Sequence, residues 1–445
     1  MSANGAPGLI IAAPASGHGK TVTTLALARA FRHAGFRVAT AKVGPDYIDP
    51  GFHAVASGRD CVNLDPWAMR LGTLAALVDA CGRAADIVLC EGVMGLFDGI
   101  DAAGRGSTAD LAALTGWPVI LVVDVRGQAA SAAALVAGFA RHRADVPIAG
   151  VIFNRAGGAR HQATVREAVR AALPTVPILG ALARDPALVL PERHLGLVQA
   201  RERADLDGFL DRAATAAAAA IDLAALLSLA RPTRLQAAAE GAPIMPLGQR
   251  IAVARDDAFA FAYPWLLDSW RRRGADLHFF SPLADEAPPK ECDAVYLPGG
   301  YPELHTDRLA GNRHYVGGLR AAAASQATVY GECGGYMALG RALIDAEGRH
   351  HEMAGLLPLE TSFAQRRLHL GYRHLRLASD TPGLGATGCS FRGHEFHYAS
   401  TTAAGGAEPL FRQTDAAGHH LEPAGLRVGS VMGSFAHLID IESAV

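Results

Sequence analysis

Short, almost wholly apolar runs recur along the first half of the chain, at residues 8–13, 37–43, 86–90, 118–124, 148–154 and 177–183. Each is too short for a helix, and strands buried on both faces read this way because a sheet covered by helices has no wet face to mark by alternation. Between them lie Ala-rich stretches with helical periodicity, including 22–31, 129–139 and 165–173. The alternation predicts an α/β fold with a mostly parallel sheet covered on both faces. Ala-rich helices over 205–230 close this half, and residues 231–250, carrying Pro232, Gly241, Pro243 and Pro246, break the pattern as a linker would. The pattern resumes with an apolar run at 293–297 and a strand that turns at Cys333 into a helix bearing Tyr336, Met337, Leu339 and Leu343. The expected organisation is a first α/β domain over 1–230, a linker over 231–250 and a second α/β domain over 251–445.

The loops after the strands hold the chemistry. The first strand runs into Ser16-Gly17-His18-Gly19-Lys20-Thr21 and then a helix, with Pro14 where a strict P-loop has its first glycine. In such a loop, backbone N–H groups wrap phosphates, Lys20 reaches the β and γ oxygens, and the Thr21 hydroxyl is placed to ligate Mg²⁺. The second strand ends in Gly44-Pro45-Asp46-Tyr47-Ile48-Asp49, the third in Glu91-Gly92-Val93-Met94-Gly95-Leu96-Phe97-Asp98. Loops at the carboxyl ends of neighbouring strands converge on one crevice, so Asp46, Asp49, Glu91 and Asp98 are expected to face the P-loop. Several acids around a phosphate site need a cation to offset them, which argues for Mg²⁺ on Thr21, Asp46 and Glu91. Asn154 ends its strand and is either an adenine ligand or a strand-end cap.

In the second half, Tyr330-Gly331-Glu332-Cys333-Gly334-Gly335-Tyr336 has the form of a nucleophile elbow, with Cys333 as nucleophile. The N-terminus of the following helix is expected to favour the thiolate and to offer the Gly334 N–H to an oxyanion. Gly300, in Pro298-Gly299-Gly300-Tyr301-Pro302-Glu303, supplies a second such N–H, and His437 is the candidate base.

Residues 250–440 resemble the class I triad glutamine amidotransferases, which release ammonia from glutamine through a cysteinyl thioester. That family's Glu two residues after the histidine is Ile439 here, leaving Asp440 or Glu395 as replacement carboxylates. Taken end to end, the P-loop, Lys42-Val43-Gly44-Pro45-Asp46-Tyr47, Cys90-Glu91-Gly92-Val93-Met94-Gly95, Gly106-Ser107-Thr108-Ala109 and Gly393-His394-Glu395-Phe396-His397-Tyr398 resemble the cobyrinic and hydrogenobyrinic acid a,c-diamide synthase family. Membership implies a dethiobiotin synthetase-like P-loop domain fused to a flavodoxin-like amidotransferase domain. It implies ATP and L-glutamine as co-substrates, Mg²⁺, and a corrin-type polycarboxylate amidated at its c and then a acetate. The metal-free hydrogenobyrinic acid is favoured by the Ala- and Arg-rich composition; cobyrinic acid and nickel-sirohydrochlorin are the alternatives. A homodimer is implied by the same analogy. Arg366, Arg367 and Arg373 are the arginines expected to grip carboxylates.

Two other classes are weighed against this: a P-loop ATPase switch, and a binding module whose amidotransferase half is degenerate. A net charge of -2 gives no global field for nucleic acid. Six cysteines without Cys-x-x-Cys pairs suit a reducing cytoplasm. Residues 1–8 lack a signal-peptide pattern, and no apolar run is long enough for a membrane span. The eighteen histidines show no metal spacing; His18 and His369 stand out by their neighbours.

Overall fold

A computed structural model describes residues 5–190, 192–193, 196–197, 199–236 and 244–442. It falls into two compact units, Met1–Trp67 with Leu71–Gly241, and Ala68–Arg70 with Ala242–Val445. Part of the expected linker, 237–243, lies outside the described residues.

The first unit is built on β1 (Gly8–Ala12), β2 (Val38–Val43), β3 (Val62–Leu64), β4 (Ile87–Glu91), β5 (Val119–Asp124), β6 (Ile148–Ala156) and β7 (Ile178–Ala183). They form one seven-stranded sheet in the order β3-β2-β4-β1-β5-β6-β7, every neighbouring pair parallel. β1, β2, β4 and β5 are buried at every position, which is why their sequences run apolar without alternation. β1 is central, and the chain crosses from one side of it to the other between β4 and β5. That reversal opens the crevice at the strands' carboxyl ends, where the P-loop lies. The Ala-rich segment forms helices Leu206–Ala220 and Leu223–Leu229. A short hairpin pairs β8 (Glu192–Arg193) with β9 (Gly196–Leu197).

The second unit contains β10 (Arg250–Ala254), β11 (Asp276–Phe280), β12 (Ala294–Leu297) and β13 (Thr328–Glu332), joined in parallel as β11-β10-β12-β13. β14 (Ala342–Ile344), β15 (His350–Glu352), β16 (Leu359–Ser362) and β19 (Ser400–Ala404) make a separate four-stranded sheet. β17 (His369–Leu377), β18 (Ser390–His397), β20 (Glu408–Asp415), β21 (His420–Val428), β22 (Val431–Ser434) and β23 (Ala436–Ile441) extend the main sheet to ten strands. β22 adds to β13 in parallel, and antiparallel pairing takes over from β21 onward. This sheet lays the end of β13 against β22, so the Cys333 N–H donates to the Ser434 carbonyl at 2.8 Å.

Candidate active sites

Gly17 and Gly19 sit in the left-handed region at φ 80° and 91°, and a Cβ on Gly19 would lie 2.1 Å from Asn154 Nδ2. Helix Lys20–His33 begins directly after, so its free N–H groups open toward this loop. The loop is fixed from the ends of β5 and β6. Asn154 Nδ2 donates to the His18 carbonyl at 2.8 Å, Arg155 donates to the Gly17 carbonyl and to Asp124, and His18 Nδ1 accepts the Asp124 N–H. A cavity of about 470 Å³ lined by His18, Asp124, Arg126, Gly127 and Gln128 opens beside it.

Lys20 Nζ donates to the Met94 carbonyl at 2.6 Å, and the Thr21 hydroxyl donates to Glu91 Oε1 at 2.6 Å. Burial pushes Lys20 down, and Glu91 only partly offsets this. The cation demanded by the acids is already present as a side chain. Lys42, projecting from β2 and 3% exposed, lies 2.5 Å from Asp49, 2.9 Å from Glu91 and 3.9 Å from Asp46. Burial alone would lower Lys42, but these three carboxylates raise it well above its ordinary range. On the other side of Glu91, His53 Nε2 meets Oε2 at 2.5 Å. Burial opposes ionisation of Glu91, yet Lys42 and His53 hold it well below the usual carboxylate range. The cation that these acids were expected to need is thus supplied in part by Lys42, which was not counted beside Mg²⁺ from the sequence. A lysine inside an apolar strand that leads into two acids was the signal for it. Asp46 accepts the N–H groups of Ile48 and Asp49 at the start of helix Asp49–Ser57, and Asp98 accepts the Gly95 N–H. Ser16 stays in the turn between β1 and helix Lys20–His33.

In the second unit Cys333 has φ 47° and ψ -105°, the strained backbone an elbow requires, between β13 and helix Gly334–Leu339. The adjoining backbones are packed so closely that only glycine fits. A Cβ on Gly334 would lie 3.0 Å from Gly300 N, bringing the two proposed oxyanion donors side by side. A Cβ on Gly299 would lie 2.4 Å from His437 Cε1 and 3.3 Å from Cys333 Cβ, so imidazole and nucleophile share the space above that residue. The helix N-terminus is not the largest influence on the sulfur. Burial, followed by the charge of Glu303, pushes the Cys333 thiol up, and the Gly334 N–H recovers only part of this.

Both expected replacements for the missing triad Glu have other partners. Asp440 is held by Arg70 of the same unit at 2.7 Å. Glu395 pairs with Arg373 at 2.8 Å and with His397 at 2.8 Å; burial would raise it, but these partners bring it to about 2. Arg373 is thus committed inside the protein rather than to substrate. His369 stacks on His397, which gathers His369, Glu395 and His397 within reach of one cation, although Arg373 already balances the carboxylate. Arg366 and Arg367 are exposed on the irregular segment between β16 and β17.

The carboxylate that does approach the base is Glu332, whose Oε2 lies 3.5 Å from His437 Nδ1. It is 3% exposed and receives Tyr296 Oη at 2.8 Å, Tyr330 Oη at 3.0 Å and the Leu438 N–H at 3.1 Å. Burial and the Glu332 charge push both tyrosine hydroxyls far up, so they stay protonated donors. The hint in the sequence was the two-residue spacing of Tyr330 and Glu332, which puts both on one face of β13.

Comparison with known proteins matches a domain in each unit. Residues 9–198 match the CobQ/CobB/MinD/ParA nucleotide binding domain, and residues 250–444 the CobB/CobQ-like glutamine amidotransferase domain. The hydrogenobyrinate a,c-diamide synthase of Brucella suis biovar 1 (strain 1330) is 58% identical, covering 97% of this chain and 98% of the relative. Its namesake in Rhizobium meliloti (strain 1021) is 53% identical, covering 97% and 99%. That of Mesorhizobium japonicum (strain LMG 29417 / CECT 9101 / MAFF 303099) is 51% identical, covering 98% and 99%. With a P-loop and an amidotransferase elbow in one chain and such similarity along nearly all of it, this protein is an enzyme of the hydrogenobyrinate a,c-diamide synthase family, a glutamine-dependent amide ligase.

Proposed function

We propose that the chain amidates the c and then the a acetate of hydrogenobyrinate, using ATP and glutamine. The observation that carries this reading is the full-length similarity to enzymes named for that product. Cys333 attacks the carboxamide carbon of glutamine as His437 takes the thiol proton; the imidazolium returns it to the departing nitrogen, and ammonia leaves. The Gly300 and Gly334 N–H groups receive the oxyanion, and water then hydrolyses the thioester to glutamate. In the nucleotide-binding unit a substrate carboxylate attacks the γ-phosphorus of ATP and ADP departs, because a carboxylate is a poor electrophile until it becomes an acyl phosphate. Ammonia then displaces phosphate to give the amide.

Ser16, Gly17, His18, Gly19 and Lys20 cradle the phosphates, and Asn154 is proposed at the adenine side of the loop it braces. Thr21 and Glu91 are hard oxygen donors that already meet, and with Asp46 they would hold Mg²⁺, which would neutralise charge on the phosphates. Lys42, Asp49 and Asp98 keep the carboxylate-activation site charge-balanced, while Arg366 and Arg367 are proposed to grip the corrin rim. Assembly as a homodimer is proposed by analogy, to be checked by sedimentation. No helix among the described residues is long and apolar enough to cross a membrane; a cytoplasmic location is proposed from the cysteine usage.

Turnover assays with the metal-free and the cobalt-containing acids, resolved by product mass, test the substrate. Monoamide is expected to build up and then convert, with the metal-free acid preferred; a preference for the cobalt form would reverse the assignment.

Glu332, whose Oε2 lies at ion-pair distance from His437 Nδ1, is further proposed as the carboxylate that orients His437. Glu332→Gln is expected to lower glutaminase kcat by about 10³-fold, since losing a triad acid leaves the base in the wrong tautomer. Ammonia-dependent amidation should be unchanged. A wild-type glutaminase rate in this variant would remove Glu332 from the triad.

A further inference from the structure

Glu303 is an acid that the chemistry above does not use. It lies on the single 3-10 turn Pro302–Leu304 that follows the Gly299-Gly300 loop. That turn packs on the nucleophile helix, since a Cβ on Gly334 would lie 2.8 Å from Pro302 Cδ. Its Oε2 is buried and has no hydrogen-bond partner among the described residues. The other acids of this site are committed: Glu332 to two tyrosines and a backbone N–H, Glu395 to Arg373 and His397. A buried carboxylate oxygen without a donor is costly, and where a native structure keeps one the group calls for an explanation, such as a catalytic role or a partner that arrives from outside.

The electrostatics point the same way. Burial pushes Glu303 up to about 7, relieved only in part by its own backbone and by the positive charge of Arg366. After burial, Glu303 is also the largest influence raising the Cys333 thiol. An uncompensated acid beside the nucleophile opposes the thiolate that the reaction needs. Glutamine carries a cation of its own, the α-ammonium, a few bonds from the carboxamide that Cys333 attacks.

We propose that Glu303 is the recognition residue for the α-ammonium of glutamine, its open Oε2 accepting a charge-assisted hydrogen bond from that group beside the Cys333 elbow. Binding then supplies the cation the empty site lacks, so substrate recognition and activation of the sulfur are coupled. The proposal rests on Cys333 being the nucleophile. It extends the site's specificity from a carboxamide to an α-amino acid amide.

The test compares hydrolysis of glutamine and of 4-carbamoylbutanoate, which is glutamine without its α-amino group, by the full-length enzyme and by Glu303→Gln. The wild type is expected to favour glutamine by about 100-fold in kcat/KM, the range set by one charged hydrogen bond. The variant should lose that preference, chiefly through KM, and keep ammonia-dependent amidation. A variant that retains the wild-type preference overturns the subsite. So does a wild type that hydrolyses the two compounds within a few-fold, a result that needs no variant to fold. A diazoketone analogue of glutamine separates the two assignments. Label on Cys333 with preference unchanged in the variant overturns the subsite alone, whereas no label on Cys333 in the wild type overturns the nucleophile and the subsite with it.

Discussion

Cys333→Ala is expected to abolish glutamine-dependent amidation while leaving amidation from added ammonium salts close to wild type. In the proposed mechanism the sulfur forms the thioester and takes no part in activating the carboxylate, so its removal stops ammonia release and nothing downstream. Removal of a catalytic nucleophile typically costs on the order of 10⁶ in kcat, because a site without one retains only its oxyanion donors and binding contacts. The measurement is product formation from glutamine and from ammonia in parallel, and loss of both activities would sink the two-site mechanism. His437→Ala should be nearly as damaging to glutaminase, since Gly299 leaves room for the imidazole directly beside Cys333. Near wild-type glutaminase in that variant would show that this imidazole is not the base.

The elements most legible in the sequence were those whose signal is local. The apolar runs found their strands within a residue or two, because strands buried on both faces must be apolar throughout. Gly17, Gly19 and Cys333 announced themselves because positive φ and close backbone approach restrict residue choice at the position itself. What escaped was pairing across the sheet. Whether Glu91 faces a metal or a lysine depends on β2 lying beside β4 in a register that sets Lys42 opposite Glu91. Neither strand states that register. The carboxylate near His437 was sought at Asp440 and Glu395, whereas the sheet supplies it from β13, where Tyr296 of β12 registers with Tyr330. Arg373 was read as a free cation because its partner, Glu395, sits on the neighbouring strand. The thiol of Cys333 was judged by its helix alone, and a six-residue helix does not overcome burial and an adjacent acid.

Lys20→Ala is expected to lower ammonia-dependent amidation by 10²–10³-fold or more, the loss of about 3–4 kcal/mol that follows removal of one preorganised contact to a transferring phosphoryl group. Lys20 lies in the P-loop beside a second buried cation, Lys42, and the two do different work. Lys42 is saturated by Asp49 and Glu91, whereas Lys20 donates to the Met94 carbonyl, a neutral acceptor that a phosphate oxygen can replace. Burial already lowers Lys20, so an arriving polyanion restores the charge that desolvation disfavours. Loss of Lys20 should therefore fall on turnover, with the fold kept, because no buried acid loses its principal partner. Lys42→Met is the contrasting variant: it strands Glu91 and Asp49 without their cation and should cost about 3–5 kcal/mol of stability as well as activity. Thermal melts and ammonia-dependent rates on the two variants separate the roles. Glutaminase should survive Lys20→Ala, and a Lys20→Ala enzyme with wild-type ATP-dependent turnover would remove this lysine from phosphoryl transfer.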